Sequence, residues 1–187
     1  SFASLTSARG PAFSPPAPDV HEIAKLTIPV KSGSIECLVY RPRPSSTALP
    51  AVIFFHGGGG ITLSPEDFDA TSRMLALDAD CVVVVPRYRQ APEHPFPTPL
   101  EDCCATYAWV GAHAGELGID PDRIAVAGDS AGGYLAASVW QEAKRQRQRE
   151  GLGQILLYPM LDKAGAGITA LSEGDSAGKI VVDVGAG

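Results

Sequence analysis

Several absences narrow the reading before any motif is considered. The sequence has no apolar run of the about 20 residues that a bilayer-spanning helix requires, so no membrane span is expected. It has no excess of positive charge: 15 Lys and Arg stand against 21 Asp and Glu, a formal net charge of −6, which argues against a nucleic-acid partner. The one basic cluster, at 144–149, closes a helical pattern, where cations complement the helix dipole; it reads as a solvated helix end. The four cysteines, Cys37, Cys81, Cys103 and Cys104, form no C-x-x-C pair and show no metal-ligand spacing. They read as reduced thiols, and neither a metal nor a cofactor is expected. The N-terminus shows no basic start followed by an apolar core, so a cytoplasmic setting is the expectation. No composition bias marks disorder: with 45% hydrophobic and 19% charged residues, the 187-residue chain fits one domain with a buried core.

What is present centres on residues 124–133, Ile-Ala-Val-Ala-Gly-Asp-Ser-Ala-Gly-Gly. A short apolar run passes into Gly128-Asp129-Ser130-Ala131-Gly132 and then into a helical pattern, which is strand, sharp turn and helix. In that context G-x-S-x-G is a nucleophile elbow, the glycines letting the backbone turn tightly enough to lift the serine hydroxyl clear. Ser130 is the candidate nucleophile. The competing explanation is an ordinary Gly/Ser turn.

A serine hydroxyl is a weak nucleophile and needs donors for an oxyanion and a base for its proton. Upstream, residues 50–55 read as a buried strand that runs directly into His56-Gly57-Gly58-Gly59-Gly60. Residues without a Cβ let backbone N–H groups approach a developing negative charge. A glycine run alone reads equally well as a flexible loop, and its pairing with the elbow selects the functional reading.

Along the chain, residues 1–22 form a Pro-rich arm or part of a cap, and 25–30 and 34–40 alternate as two strands of a hairpin, with Pro29 marking an edge. Ser64-Pro65-Glu66-Asp67 opens a helix to about Asp78, and residues 81–85 are a fully buried strand. Thr98-Pro99-Leu100-Glu101 reads as a capping box, followed by an apolar face at Leu100, Cys103, Cys104, Tyr107, Val110 and Ala114. After the elbow, Leu135, Ala136, Val139, Trp140 and Ala143 trace a second buried face, and 155–158 is a sixth strand. This alternation predicts an α/β fold with a mostly parallel sheet, helices on both faces, and the site at the carboxyl ends of the strands.

Four motifs taken together resemble the hormone-sensitive-lipase-like branch of the α/β-hydrolases, which are carboxylesterases and lipases. They are His56-Gly57-Gly58-Gly59; Tyr88-Arg89-Gln90-Ala91-Pro92-Glu93-His94-Pro95-Phe96-Pro97; Gly128-Asp129-Ser130-Ala131-Gly132-Gly133; and Tyr158-Pro159-Met160-Leu161-Asp162. The resemblance covers roughly residues 20–162. It implies hydrolysis of a small-molecule ester through an acyl-enzyme, with backbone N–H groups of Gly58, Gly59 and Ala131 as the oxyanion hole. It also implies that the third and fourth strands exchange places, which sets the His56 loop beside the elbow. Arg87 departs from the pattern, since an aspartate is usual there.

The larger departure concerns the triad, which in this fold runs Ser, then Asp or Glu, then His. The histidines here are His21, His56, His94 and His113, and all precede Ser130. His56 reads as a support for the glycine loop and His94 as a loop residue; Asp162, Asp175 and Asp183 are acids that no motif selects. The expected layout is an arm at 1–22, an incomplete hydrolase core at 23–162 lacking the family's last strands, and a Gly/Ala/Ser-rich tail at 163–187, of which 179–184 offers a strand to the sheet edge. The leading expectation is therefore a carboxylesterase fragment or fusion without the triad acid and base. The alternative is a non-catalytic small-molecule binding module on the same fold. Nothing in the sequence bears on oligomeric state.

Overall fold

The computed structural model describes residues 17–148, 151–160 and, for its backbone, 179–182. Its strands form one seven-stranded sheet in the order β1-β2-β4-β3-β5-β6-β7. The hairpin β1 (Glu22–Val30) and β2 (Gly33–Arg41) occupies one edge and pairs antiparallel with β4 (Val82–Pro86). β3 (Leu49–Phe55), β4, β5 (Ile119–Asp129), β6 (Gly153–Leu157) and β7 (Lys179–Val182) run parallel. Pro29 sits on the edge strand, where its missing N–H costs no ladder bond on the outer side.

Burial explains why the central strands are continuous apolar runs. Val82, Val83, Val84 and Val85 are all fully buried because helices cover both faces. On one face α1 (Asp69–Asp78) packs through Ser72 and Ala76. On the other lie α2 (Thr98–Ala112) and α3 (Ala131–Arg145), whose Cys103, Tyr107, Val110, Leu135, Ala136, Val139, Trp140 and Ala143 join one core cluster as their spacing predicts. Large aliphatic side chains among them, such as Val110, Leu135 and Val139, contribute about 1.5–3 kcal/mol each when fully removed from water, which is what holds the two layers on the sheet.

Several local readings are corrected. The helix expected from Ser64 is broken: a 3₁₀ turn, Pro65–Phe68, precedes α1, and the capping box belongs to it, with the Asp67 carboxylate accepting the Ser64 N–H at 2.9 Å. No box forms at Thr98, which is already the first residue of α2. The helix is entered through Pro97, whose carbonyl accepts the Glu101 N–H at 2.9 Å. The sixth strand runs 153–157, not 155–158, since Tyr158 turns out of the sheet at φ +35°. β7 pairs with β6, so β6 is not the sheet edge. The candidate acids Asp162, Asp175 and Asp183 lie outside the described residues.

Candidate active site

The site is set by one pairing. β3 and β5 are parallel neighbours with Phe55 opposite Gly128, so the residues that follow each strand, His56-Gly57 and Asp129-Ser130, emerge side by side at the carboxyl edge. This is the exchange of the third and fourth strands that the family resemblance implies. Ser130 caps α3 at φ +50° and ψ −116°, a conformation that costs a non-glycine residue about 1–3 kcal/mol.

Neighbouring residues impose that strain. The Ser130 N–H donates to Leu157 O at 2.9 Å, and the Ser130 carbonyl accepts the N–H groups of Met160 at 3.0 Å and Tyr134 at 3.2 Å. The glycines of the elbow work differently from expectation. Gly128 and Gly132 do not take positive φ; they are glycines because other backbone passes through the space a Cβ would need. A Cβ on Gly128 would lie 2.7 Å from Phe55 O, and one on Gly132 would lie 2.6 Å from His56 O. On Gly133 it would meet Pro159 Cβ at 2.9 Å.

In the glycine loop, positive φ is real: +111° at Gly58, +67° at Gly59 and +73° at Gly60. The Gly58 carbonyl accepts the N–H groups of Ile61 and Thr62 and the Thr62 hydroxyl, closing the turn, and a Cβ at Gly58 would strike Thr62. The Gly57 N–H donates to Asp129 Oδ1 at 2.7 Å. Asp129 is buried, and desolvation raises its pKa above the ordinary carboxylate value, against the pull of the Gly57 N–H, its own N–H and the Tyr158 hydroxyl.

His56 is fully buried with its imidazole between Tyr88, at a ring separation of 4.5 Å, and Phe68, at 5.6 Å. Nδ1 lies 2.8 Å from Gly57 O, which assigns the proton to Nδ1 and leaves Nε2 as an acceptor. Burial, foremost, and the Arg87 guanidinium hold this histidine below its ordinary pKa, while its hydrogen bond to Gly57 O acts the other way. The Tyr88 hydroxyl donates to His56 O at 2.7 Å. His56 is thus a wall of the glycine loop. His21 and His94 are exposed, and His113 stacks on Trp109 at 3.9 Å with Nδ1 on the Trp109 carbonyl. Among the described residues no histidine is hydrogen-bonded to Ser130.

The second motif braces the same loop. Ala91 N–H donates to Gly60 O at 3.0 Å and Gln90 Nε2 to Leu63 O at 2.9 Å. Arg89 then anchors that brace to α2 through Asp102, which is 0% exposed and accepts Nε at 2.9 Å, Nη2 at 2.7 Å and the Arg89 N–H at 3.0 Å. The apolar pattern of α2 hid Asp102; a carboxylate in a buried helix is itself a sign of a paired cation. Arg87 also finds its place, bonded to Glu66 on the 3₁₀ turn and 3.6 Å from Glu36 on β2. Between the glycine loop and the first turn of α3 opens an apolar cleft of about 370 Å³, lined by Gly59, Gly60, Ala91, Phe96, Ala131 and Tyr134 among others. Among the described residues no cluster of ligating side chains would hold a metal, and no helix is long and apolar enough to cross a membrane.

Comparison with known proteins agrees with this geometry. A sequence model described as the alpha/beta hydrolase fold matches residues 52–181, and the chain belongs to that family. Carboxylic ester hydrolase LipN of Mycobacterium tuberculosis is 42% identical over 153 residues, covering 79% of this chain and 40% of that protein. An arylesterase of Saccharolobus solfataricus is 40% identical over 124 residues, 66% of this chain and 40% of the other. Among solved structures, the hyperthermophilic esterase of Pyrobaculum calidifontis superposes with a TM-score of 0.75 at 42% identity, over 77% of this chain and 46% of that one. The thermostable carboxylesterase EstE1 from a metagenomic library gives 0.75 at 46% identity, over 79% and 50%. The chain therefore spans about half the length of the relatives it matches, or less.

Proposed function

We propose that this chain carries the nucleophile and oxyanion-binding part of a serine carboxylic-ester hydrolase, acting on a small uncharged ester seated in the apolar cleft. The observation that carries the reading is the strained Ser130 at the strand-to-helix elbow, set directly beside the glycine loop by the β3–β5 pairing. Ser130 Oγ attacks the ester carbonyl carbon, its proton passes to a base, and the alcohol leaves with a proton to give an acyl-serine that water hydrolyses. The N–H groups of Gly58, Gly59 and Ala131 receive the oxyanion. Gly57 is excluded from that role because its N–H is committed to Asp129, whereas Ala131 opens α3, where N–H groups lack intrahelical acceptors. None of the four histidines is assigned as the base. The hydrolase core is taken as 23–162, its sheet joined by Glu22 at the start of β1 and by β7, with the rest of 1–22 and of 163–187 as flanking segments, and the four free cysteines support a cytoplasmic setting.

The test is phosphonylation by a neutral p-nitrophenyl phosphonate ester, followed by intact mass and peptide mapping. With imidazole added as the external base, one adduct on Ser130, absent in Ser130→Ala, is expected. Turnover of p-nitrophenyl butyrate by the 187-residue chain should be far below ordinary esterase rates, because loss of a triad histidine costs about 10⁶ in kcat. A folded protein that gives no Ser130 adduct overturns the reading; saturable binding of ester analogues without an adduct would instead mark a binding module.

A further inference from the structure

We infer that Asp129 is a positioning residue: its carboxylate straps the glycine loop onto the elbow and thereby aims the Gly58 and Gly59 N–H groups at the space above Ser130. This inference rests on the ester-hydrolase reading for its chemical purpose, but its geometry stands on separate observations. Asp129 is the last residue of β5 and Gly57 lies two residues past the end of β3, so this hydrogen bond of 2.7 Å joins the two catalytic segments above the last rung of the β3–β5 ladder. The contact is shaped for one residue pair only. A Cβ on Gly57 would collide with the Asp129 carboxylate, coming within 3.0 Å of Cγ and overlapping Oδ2. Asp129 as a residue is 7% exposed, and the titratable groups facing its carboxylate are the phenols of Tyr158 on the segment after β6, 3.4 Å from Oδ2, and Tyr88 on the segment after β4.

A charged acceptor is stronger than a neutral one and more costly to bury. Its burial here is hard to explain by stability, since desolvation wins over the bonds it makes and its pKa is raised. Holding the loop in one place explains it. Gly58, Gly59 and Gly60 all sit at positive φ, which glycine reaches without penalty but holds no more firmly than negative φ, so a tether at the base of the loop fixes its position. Gly57 supplies the N–H and Asp129 the acceptor.

The experiment compares Asp129→Ala and Asp129→Asn in the full chain, read by the amide NMR signals of residues 57–60 and by the rate of Ser130 labelling with the neutral phosphonate ester, imidazole being present as the external base. Asp129→Ala should move the Gly57, Gly58 and Gly59 signals and slow labelling about 100-fold or more, the scale of losing one oxyanion donor. Asp129→Asn keeps an oxygen acceptor and should recover labelling to within about tenfold of the parent, with the Gly57 amide proton moved upfield by the neutral acceptor. Gly58 and Gly59 signals unchanged in folded Asp129→Ala, or an unchanged labelling rate, overturn the inference. If Asp129→Ala does not fold, the Asn variant decides, and an unmoved Gly57 amide overturns it. A parent protein that is never labelled at Ser130 overturns the hydrolase reading, and the strap is then judged by the amide signals alone.

Discussion

Gly132 and Phe55 are in contact through backbone alone: a Cβ placed on Gly132 would overlap the Phe55 carbonyl oxygen and lie 2.6 Å from both Phe55 C and His56 O. Neither partner is a movable side-chain end. Gly132→Ala should therefore push α3 away from β3, with a loss of about 1–3 kcal/mol or more, as for overpacking at a rigid site. Urea unfolding measures it. Gly59→Ala is the control, because its Cβ would meet nothing within 4 Å and bears only the about 1–2 kcal/mol of a left-handed residue.

Removing Asp102 should be the costliest single change outside the apolar core. Its carboxylate receives three hydrogen bonds from Arg89 and is fully buried. Asp102→Ala leaves a partly buried guanidinium unpaired, with an expected loss of about 3–5 kcal/mol by denaturant titration. Arg89→Ala strands the buried charge instead, and the double variant should cost less than the sum of the two.

The Arg87–Glu66 pair predicts a specific acid response. Arg87 holds the Glu66 carboxyl down at about 2, against an ordinary 4.5. A depressed folded-state pKa contributes stability above the unfolded value that is lost as pH falls from about 4.5 towards about 2. The side chains are 39% and 54% exposed, so screening limits the contribution to about 1 kcal/mol at most. Glu66→Gln should be less stable than the parent by that amount at pH 7 and equal to it near pH 2.

Burial makes the thiols slow. It pushes Cys37 up to about 12, Cys81 and Cys104 up to about 11, and Cys103 well above the ordinary range. At pH 8 the folded chain should react with a disulfide reagent at least about 100-fold more slowly than a free thiol, and all four cysteines should react in guanidinium. A fast equivalent in the folded protein would contradict this.

What was legible in the sequence is what local pattern records. The elbow, the glycine loop, the valine strand 82–85 and the apolar faces of α2 and α3 each declare themselves within ten or so residues, by glycine placement or by period. The contacts that assemble the site were not legible, because each joins residues far apart in the chain. Asp129 meets Gly57, Arg89 meets Asp102, and Tyr88 roofs His56 only after the strands have exchanged places. The Thr98 box failed for a local reason: Pro97 already opens α2, so a good capping sequence lay one position inside the helix. The role of Gly128 and Gly132 was misread because a glycine needed for space and one needed for φ look alike in a sequence.

The backbone of Ser130 is held from outside, by Leu157, Met160 and Tyr134, and none of those bonds involves its side chain. Conformation and chemistry at this position are therefore separable, and what occupies the elbow inherits its posture from the residues around it. A cysteine installed there would stand in the same attitude, a soft nucleophile in place of a hard one. Glycine would relax instead: relieved of the +50° φ, Ser130→Gly should melt higher than the parent even as labelling disappears.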